Sequence, residues 1–204
     1  MKCKEIIFLI IVLLFFSNAF SQSATYKINA GLNISNYKYT ININDASSSY
    51  YNGDRVSTFF GLGVEKSIRF QNNNNFLING ELQYSQQGNS FDSEFIGNQT
   101  NFIHQINLLL TLKLETIKNI YLGGGFYTGY LVYVDEYYRE DEDTHKNFDF
   151  GLVGSFEYRF FKRLSIEVRY LYGVSDILDR EFDSSTITHD KYNKVVQIGL
   201  NYMF

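Results

Sequence analysis

The sequence has no proline and no tryptophan, and it has one cysteine and two methionines in 204 residues. Proline makes up about a twentieth of an average protein and cannot donate to a strand ladder, so its absence favours β-structure. One cysteine cannot form a disulfide within the chain. After residue 20 no apolar run approaches the roughly 20 residues that a membrane-spanning helix needs. The sequence therefore excludes a disulfide scaffold and a helical membrane anchor.

The first 21 residues have the three parts of a secretory signal peptide. Two lysines form a basic start, residues 6–16 are an unbroken apolar stretch, and Ala19-Phe20-Ser21 is a small-x-small cleavage site. The apolar stretch is too short to span a bilayer. We therefore expect a signal peptide over residues 1–21 and a single mature domain over 22–204.

Cleavage at this site would also remove Cys3, so the mature domain would have no thiol chemistry. The remaining chain has 16 basic and 21 acidic residues, a formal charge of −5 compared with −4 for the whole sequence. An acidic domain argues against nucleic acid as a partner.

Aromatic residues are abundant, with 17 Tyr and 19 Phe making up 18% of the sequence. Both residue types favour strands, and Tyr also suits a membrane interface, where its ring lies in lipid and its hydroxyl in water. This composition is typical of a membrane barrel with aromatic girdles.

Apolar and polar residues alternate along most of the mature domain. In the last ten residues, Val196, Ile198, Leu200, Tyr202 and Phe204 lie on one face of an extended chain. Six further alternating segments begin near Tyr26, Phe60, Phe76, Phe102, Phe148 and Leu164, and segment 120–134, which is apolar or glycine on both faces, is the least clear of the strands. One such segment alone would also fit a soluble β-sandwich, but the repetition predicts eight strands.

The connections between these segments alternate between short and long. The short ones are 71–75, 115–119 and 161–163, and the long ones are 41–57, 88–101, 135–147 and 175–193. Outer-membrane barrels have short periplasmic turns, long extracellular loops and an even number of strands, whereas a soluble sandwich gives no reason for this order. We predict an all-β fold, an eight-stranded antiparallel up-and-down transmembrane β-barrel in which residues 195–204 pair with 26–35.

The polar face of these strands carries charges of both signs. An eight-stranded barrel leaves an interior that side chains can fill, and buried charges need partners. We therefore predict an interior charge network and a filled lumen, with room for larger neighbours at Gly123, Gly125, Gly151 and Gly173. A water-filled, conducting lumen is the alternative. The inward-facing charges are Lys27, Arg69, Glu81, Lys113, Glu115, Glu157, Arg159, Glu167 and Arg169.

Several short motifs resemble the outer-membrane β-barrel domain family often called PorT-like, which occurs in Gram-negative bacteria. The resemblance covers about residues 24–204 and implies an integral outer-membrane protein, in some cases linked to secretion machinery, without catalytic residues. It also implies that Phe204 is the terminal aromatic that the barrel assembly machinery recognises. The motifs are GLNIS (31–35), ELQYSQQG (81–88), INLLLTLK (106–113), YLGGG (121–125), DFG (149–151) and RYLYGVSDI (169–177).

The acidic segment 135–146 is a candidate cation site, since Ca²⁺ takes six to eight oxygen ligands. Its spacing lacks the order of an EF-hand loop, and charge runs are usually solvated. We predict no metal site and no cofactor. A cation that bridges this segment to lipopolysaccharide phosphates is a looser alternative.

Histidines and acids in the last two long connections could activate a serine or a water. Adjacency in sequence is weak support for a catalytic group, so we predict no enzyme, with a hydrolase or acyltransferase as the alternative. His104 lies on the outward face, where it would contact lipid headgroups. The catalytic candidates are His145, Asp183, Ser184, Ser185, His189 and Asp190.

Tyrosines crowd the expected outer ends of the strands. We interpret them as an interfacial girdle, and a surface that recognises a protein or glycan is the alternative. The sequence thus predicts a monomeric barrel that acts structurally or through its loops and contacts outer-membrane lipids and lipopolysaccharide. These tyrosines are Tyr37, Tyr39, Tyr50, Tyr51, Tyr137 and Tyr138.

Overall fold

A computed structural model describes most of residues 24–204. The described residues are 24–43, 46–51, 53–69, 75–93, 97–135, 146–177 and 187–204. The predicted signal peptide over 1–21 lies outside them.

The described residues form nine strands and no helix. Most of these strands are long, and alternation of their side chains between two faces suits a sheet with one apolar face. The strands are β1 (Ala24–Ile43), β2 (Ala46–Tyr51), β3 (Arg55–Arg69), β4 (Asn75–Ser93), β5 (Gly97–Ile117), β6 (Ile120–Asp135), β7 (Phe148–Phe161), β8 (Leu164–Gly173) and β9 (Ile187–Met203).

The sheet closes on itself. From β3 to β9 each strand pairs antiparallel with the next, and β1 pairs with β3 along one edge and with β9 along the other. Because β2 continues along the edge of β1 that β3 occupies, these two segments form one barrel strand. The described part of the chain is therefore an eight-stranded antiparallel barrel, which confirms the predicted fold class.

The closing seam has the predicted partners. Lys27 of β1 lies opposite Met203 of β9, and Ser35 lies opposite Val195. The pairing continues to Ile43 opposite Ile187, well beyond the ten residues whose alternation predicted it.

The two faces of the barrel differ as the alternation predicts. Even-numbered apolar residues of β1, β4 and β9 point outward, and Leu32, Leu82 and Leu200 are each exposed over about half of their surface. The odd-numbered residues between them are mostly buried and polar. An exposed apolar belt around a polar interior is the reverse of a soluble barrel and fits surroundings of lipid.

Two of the predicted long loops are instead mostly strand. Residues 38–43 pair with β2, and β4 and β5 remain paired up to Ser93 opposite Gly97. Backbone hydrogen bonds form a ladder whatever the side chains are, so a hairpin that leaves the apolar belt can continue without apolar alternation. The alternation of apolar and polar residues therefore ends several residues before the strands end, and the sequence predicted loops where the strands continue. Segment 175–193 is also partly strand, since β9 begins at Ile187.

β4 is distorted where it leaves the belt. Gly88 has a φ of 151°, and a Cβ there would lie 2.0 Å from the carbonyl oxygen of Asn101 on β5. The Arg55 guanidinium donates to the carbonyls of Gln87 and Asn101, at 2.8 and 3.2 Å, and lies 3.6 Å from the centre of the Phe102 ring. Only glycine fits this crossing of β3, β4 and β5 without displacing the backbone.

We expect Gly88→Ala to lower the free energy of unfolding by at least about 2 kcal/mol, because the new Cβ meets a backbone carbonyl and the φ is unfavourable for alanine. The matched control is Gly154→Ala, since Gly154 faces outward and a Cβ there meets no atom within 4 Å. Denaturant unfolding in lipid vesicles, followed by circular dichroism, measures both. Equal midpoints for the two variants would contradict the assignment of strain to Gly88.

Candidate functional site

Eight buried or half-buried charges run through the half of the barrel near the short turns, in strictly alternating sign. We call them the charge chain. Strands β1, β3, β4, β5, β7 and β8 each contribute to it. In order of contact its members are Glu65, Arg159, Glu157, Lys113, Glu167, Arg169, Glu81 and Lys27.

The chain starts near the rim with Arg159. Its guanidinium donates to both carboxylate oxygens of Glu65 at 2.8 Å and to Glu157 at 2.9 Å. The Tyr121 ring covers it, with 4.3 Å between the guanidinium carbon and the ring centre. Two carboxylates from different strands are thus held by one planar donor, the geometry that suits arginine.

Lys113 is the middle link. Its Nζ lies 2.5 Å from Glu157 and 2.7 Å from Glu167, and the lysine side chain is fully buried. An ammonium has three donors, and two charged acceptors here offset much of the cost of removing it from water.

A four-membered ring completes the chain. Arg169 lies 2.7 Å from Glu167 and 2.6 Å from Glu81, and Lys27 lies 3.0 Å from Glu81 and 3.8 Å from Glu167. All four side chains are almost completely buried. Each charge in the ring therefore has two neighbours of opposite sign.

Neutral donors add further hydrogen bonds to carboxylate oxygens that already accept from an arginine. Ser165 donates to Glu157 at 2.7 Å, and Asn201 donates to Glu167 at 3.0 Å. Through Asn201, β9 is connected to the charge chain as well, so the network reaches both sides of the closing seam.

Seven of the predicted inward charges occur in this chain. Arg69 ends β3, and its side chain lies outside the described part of the chain. Glu115 lies instead at the rim, where it accepts from the Asn119 amide at 3.1 Å. The sequence interpretation missed Glu65, although its odd position next to Val64 in the alternating segment was a signal that it points inward.

An apolar layer lies above the charge chain. It consists of Leu109, Tyr127, Val153, Leu171 and Val195, all buried. Two of the four glycines expected to give room do so. A Cβ on Gly123 would lie 2.5 Å from the Ser155 hydroxyl and 2.8 Å from Lys113. One on Gly151 would lie 2.4 Å from the Tyr127 ring and 2.3 Å from the carbonyl oxygen of Tyr172, so Gly151 also permits close approach of β8.

The other two expected glycines act differently. A Cβ on Gly125 would lie 2.0 Å from the carbonyl oxygen of Leu110, and one on Gly173 would lie 3.0 Å from the backbone nitrogen of Asn193. These two glycines therefore permit close approach of neighbouring strands and do not make room for a large side chain.

Asp149 is the centre of a second polar group above the apolar layer. Its carboxylate accepts from the Tyr127 hydroxyl at 2.8 Å, Asn193 at 3.1 Å, Ser175 at 3.1 Å and Gln105 at 3.4 Å. Asn193 also donates to Gln87. No ion pair to Asp149 occurs among the described residues, so neutral donors alone hold this buried carboxylate.

Four buried apolar residues cluster at the end of the barrel away from the short turns. We call Tyr37, Ile103, Leu131 and Ile177 the outer cap. Ile177 follows β8 and turns inward, because its amide donates to the carbonyl of Lys191 and its carbonyl accepts from the amide of Lys146. The Tyr37 side chain was expected in the interfacial girdle, and this prediction was wrong, because odd-numbered residues of β1 are still buried at Tyr37.

The remaining sequence candidates are distributed differently. His104 faces outward with its Nδ1 2.5 Å from the Tyr84 hydroxyl and its ring edge-on to Tyr133. The catalytic candidates in 178–190 lie where side chains are not described, as do His145 and most of the acidic segment 135–146. The side chains of Tyr39, Tyr50, Tyr51, Tyr137 and Tyr138 are also outside the described part.

The described residues provide neither a metal-binding cluster nor a membrane-spanning helix. No group of three or more His, Cys, Asp or Glu side chains there could hold a metal ion. No helix in the same ranges is long and apolar enough to cross a membrane.

Phe204 lies at the end of the closing strand with about two thirds of its surface exposed. Its amide donates to the carbonyl of Tyr26 at 2.9 Å, and its ring contacts Tyr202 edge-on, with 5.1 Å between ring centres. The backbone of the last residue is therefore fixed to β1 while its side chain is presented outward.

Comparison with known proteins gives one family and several structures. The model of the outer membrane protein beta-barrel domain family matches residues 20–179. OprG from Pseudomonas aeruginosa is similar at 14% identity, over 89% of this chain and 96% of that one, with a TM-score of 0.47. Neisserial surface protein A is similar at 12% identity, over 90% of this chain and 100% of that one, with a TM-score of 0.46. The outer membrane protease OmpT from Escherichia coli is similar at 13% identity, over 88% of this chain and 97% of that one, with a TM-score of 0.40. No curated protein sequence matches.

We expect Glu167→Gln to destabilise the barrel by about 3–5 kcal/mol, because it removes one buried charge and leaves Lys113, Arg169 and Lys27 in excess. Glu115→Gln makes the same chemical change at the rim and should cost less than about 1 kcal/mol. Unfolding midpoints in vesicles compare the two. Similar losses for both variants would show that the charge chain contributes no special stability.

Proposed function

Because this chain belongs to the family of outer membrane protein beta-barrel domains, we propose that it is an integral barrel with a sealed lumen that acts structurally or through its extracellular surface. The charge chain, the apolar layer and the outer cap are the observation that carries this proposal. They follow one another along the barrel, and each is made of buried side chains. Eight strands provide an interior that side chains can fill in this way.

The orientation follows from the connections. Short turns at 118–119 and 162–163 lie at the end where β1 begins and β9 ends, and the hairpins β1–β2 and β4–β5 extend from the other end. In outer-membrane barrels the short turns face the periplasm. We therefore assign the extended hairpins, together with the end of β6 and the starts of β7 and β9, to the cell exterior.

The proposed biogenesis begins with export directed by residues 1–21 and ends with insertion by the barrel assembly machinery. The finer relationship to PorT-like barrels, and a link to secretion machinery, are supported by the short motifs of the sequence alone. Lipopolysaccharide would surround the outer half of the belt, and a protein or glycan partner would meet the extended hairpins. We propose no catalytic role.

A small porin-like channel is the main alternative. A conducting path would have to pass the outer cap, the apolar layer and the ring formed by Glu81, Glu167, Arg169 and Lys27. Each of these layers would need to open in turn, whereas porins keep a polar, water-filled lumen.

We expect the purified protein to be electrically silent in planar bilayers, since buried side chains project into the lumen at the charge chain, the apolar layer and the outer cap. A general porin in the same bilayers is the positive control, and a heat-dependent gel shift of the same sample would verify that the barrel is folded. Discrete single-channel steps from the folded protein would contradict the sealed lumen and support the channel.

The exposed ring of Phe204 supports a role in assembly. Deleting this residue removes one hydrogen bond to Tyr26, worth about 1 kcal/mol, and an outward aromatic side chain. The deletion leaves the described interior untouched, so its effect on a finished barrel should be small.

We expect deletion of Phe204 to reduce the amount of barrel inserted in outer membranes severalfold while shifting the unfolding midpoint of the purified barrel only slightly. Phe204→Tyr keeps the aromatic ring and is the matched control, which should insert normally. Insertion is measured by the heat-modifiable band in membrane fractions. Equal insertion of the deleted and complete chains would contradict the role of Phe204.

A further inference from the structure

Two turns at the periplasmic rim have the same pattern, an exposed apolar side chain followed by a basic one. In the β5–β6 turn, exposed Ile117 is followed by Lys118, and in the β7–β8 turn, exposed Phe161 is followed by Lys162 and Arg163. Ile117 and Phe161 each expose about two thirds of their surface. The three cations are exposed as well. Each turn thus puts an apolar side chain and a cation next to each other, outside the barrel.

Backbone hydrogen bonds bring these turns and the C-terminus side by side. The amide of Arg159, two residues before Phe161, donates to the carbonyl of Asn119 at 2.9 Å. The carbonyl of Arg163 accepts from the amide of Met203 at 2.8 Å. The turns and the end of β9 therefore form one continuous surface. We call Lys118, Lys162 and Arg163, with Ile117 and Phe161, the basic rim.

Aromatic rings line the membrane side of the basic rim. Phe160 and Phe161 meet edge-on with 5.3 Å between ring centres, and Tyr158 lies 6.5 Å from Phe160. Phe204 adds a further exposed ring beside Arg163. Such rings lie at the boundary between acyl chains and headgroups. A lysine or arginine one residue further from the belt then reaches the depth of the lipid phosphates.

The charge at this rim is mostly positive. Within the described residues the acidic groups at this end and outside the barrel interior are Glu115 and the terminal carboxylate of Phe204. Glu115 is engaged by the Asn119 amide, and Glu65 and Glu157 point inward to Arg159. Three exposed cations beside an aromatic border are therefore available to anions that lie in the plane of the membrane.

We infer that the basic rim binds anionic phospholipids of the inner leaflet of the outer membrane, with the exposed apolar side chains against the acyl chains and the cations on the headgroup phosphates. A cation near an anionic membrane surface contributes about 1 kcal/mol. The inference rests on the proposed orientation, in which the short turns face the periplasm.

The absence of tryptophan from the chain allows a direct measurement. Phe161→Trp puts one fluorophore in the basic rim, and Phe60→Trp puts one on the outward face towards the extended hairpins, where Phe60 exposes about half of its surface. We call these two fluorophores the rim probe and the belt probe. Each variant is refolded into vesicles that mix phosphatidylcholine and phosphatidylglycerol, with bromine on the acyl chains of one lipid or the other. The relative quenching gives the relative affinity of the two lipids at each position.

At the rim probe we expect phosphatidylglycerol to bind about fivefold more tightly than phosphatidylcholine, and the preference should fall in high salt. Adding Lys118→Gln, Lys162→Gln and Arg163→Gln should bring the ratio close to one. At the belt probe the ratio should be close to one in every case.

Equal affinities at the rim probe, or a preference that survives the three glutamines, would overturn the inference and leave the sealed barrel intact. Absence of quenching by either lipid at both probes would overturn the inference and the membrane barrel together. If phosphatidylglycerol were preferred to the same extent at the belt probe and at the rim probe, the preference would belong to the whole lipid-facing surface. That result too would overturn a specific lipid site at the basic rim.

Discussion

The alternating charge chain is the interaction on which the rest of the barrel depends. Removing four cations and four carboxylates from water is expensive, and only mutual contact offsets the cost. Each member from Arg159 to Glu81 touches two partners of opposite sign, at N–O distances from 2.5 to 3.0 Å. Apart from the pairs Arg159–Glu157 within β7 and Arg169–Glu167 within β8, these contacts join strands that are not neighbours in the sheet. The charge chain therefore holds together strands on opposite sides of the lumen, whereas backbone hydrogen bonds join only neighbouring strands.

This cross-lumen constraint makes register and closure depend on each other. A slip of one residue between strands would turn the charges of the slipped strand towards lipid and its leucines towards the lumen. The same contacts fix the register of the seam between β1 and β9. Lys27 on β1 and Asn201 on β9 both bind carboxylates of the charge chain. Lipid outside and the charge chain inside thus favour the same pairing.

Alternation in the sequence was sufficient to predict the fold and the inward face, because both depend only on whether a residue has an odd or an even position along its strand. It could not predict which charges meet, since Glu81 and Arg169 are paired by the curvature of the closed sheet and are 88 residues apart. Tyr37 and Ile177 were beyond its reach for another reason. Tyr37 is buried because β1 keeps its odd-numbered residues inward as far as this position, and Ile177 is buried because the chain turns inward after β8. Neither feature produces a periodic pattern in the sequence. The paired extensions of β1 and β4 were missed because strands in water need no apolar face.

The charge balance within the charge chain has a consequence for the two ends of the barrel. The four positive and four negative members of the charge chain cancel, so the formal charge of −5 over residues 22–204 is carried by the rest of the chain. The short turns are basic, whereas segment 135–146 alone contains six acidic and two basic residues. Segment 135–146 therefore carries a net formal charge of −4, and it connects β6 to β7 at the end of the barrel opposite to the basic rim. The chain thus separates its positive and negative excess charge along the barrel axis, and each end favours ligands of the opposite charge.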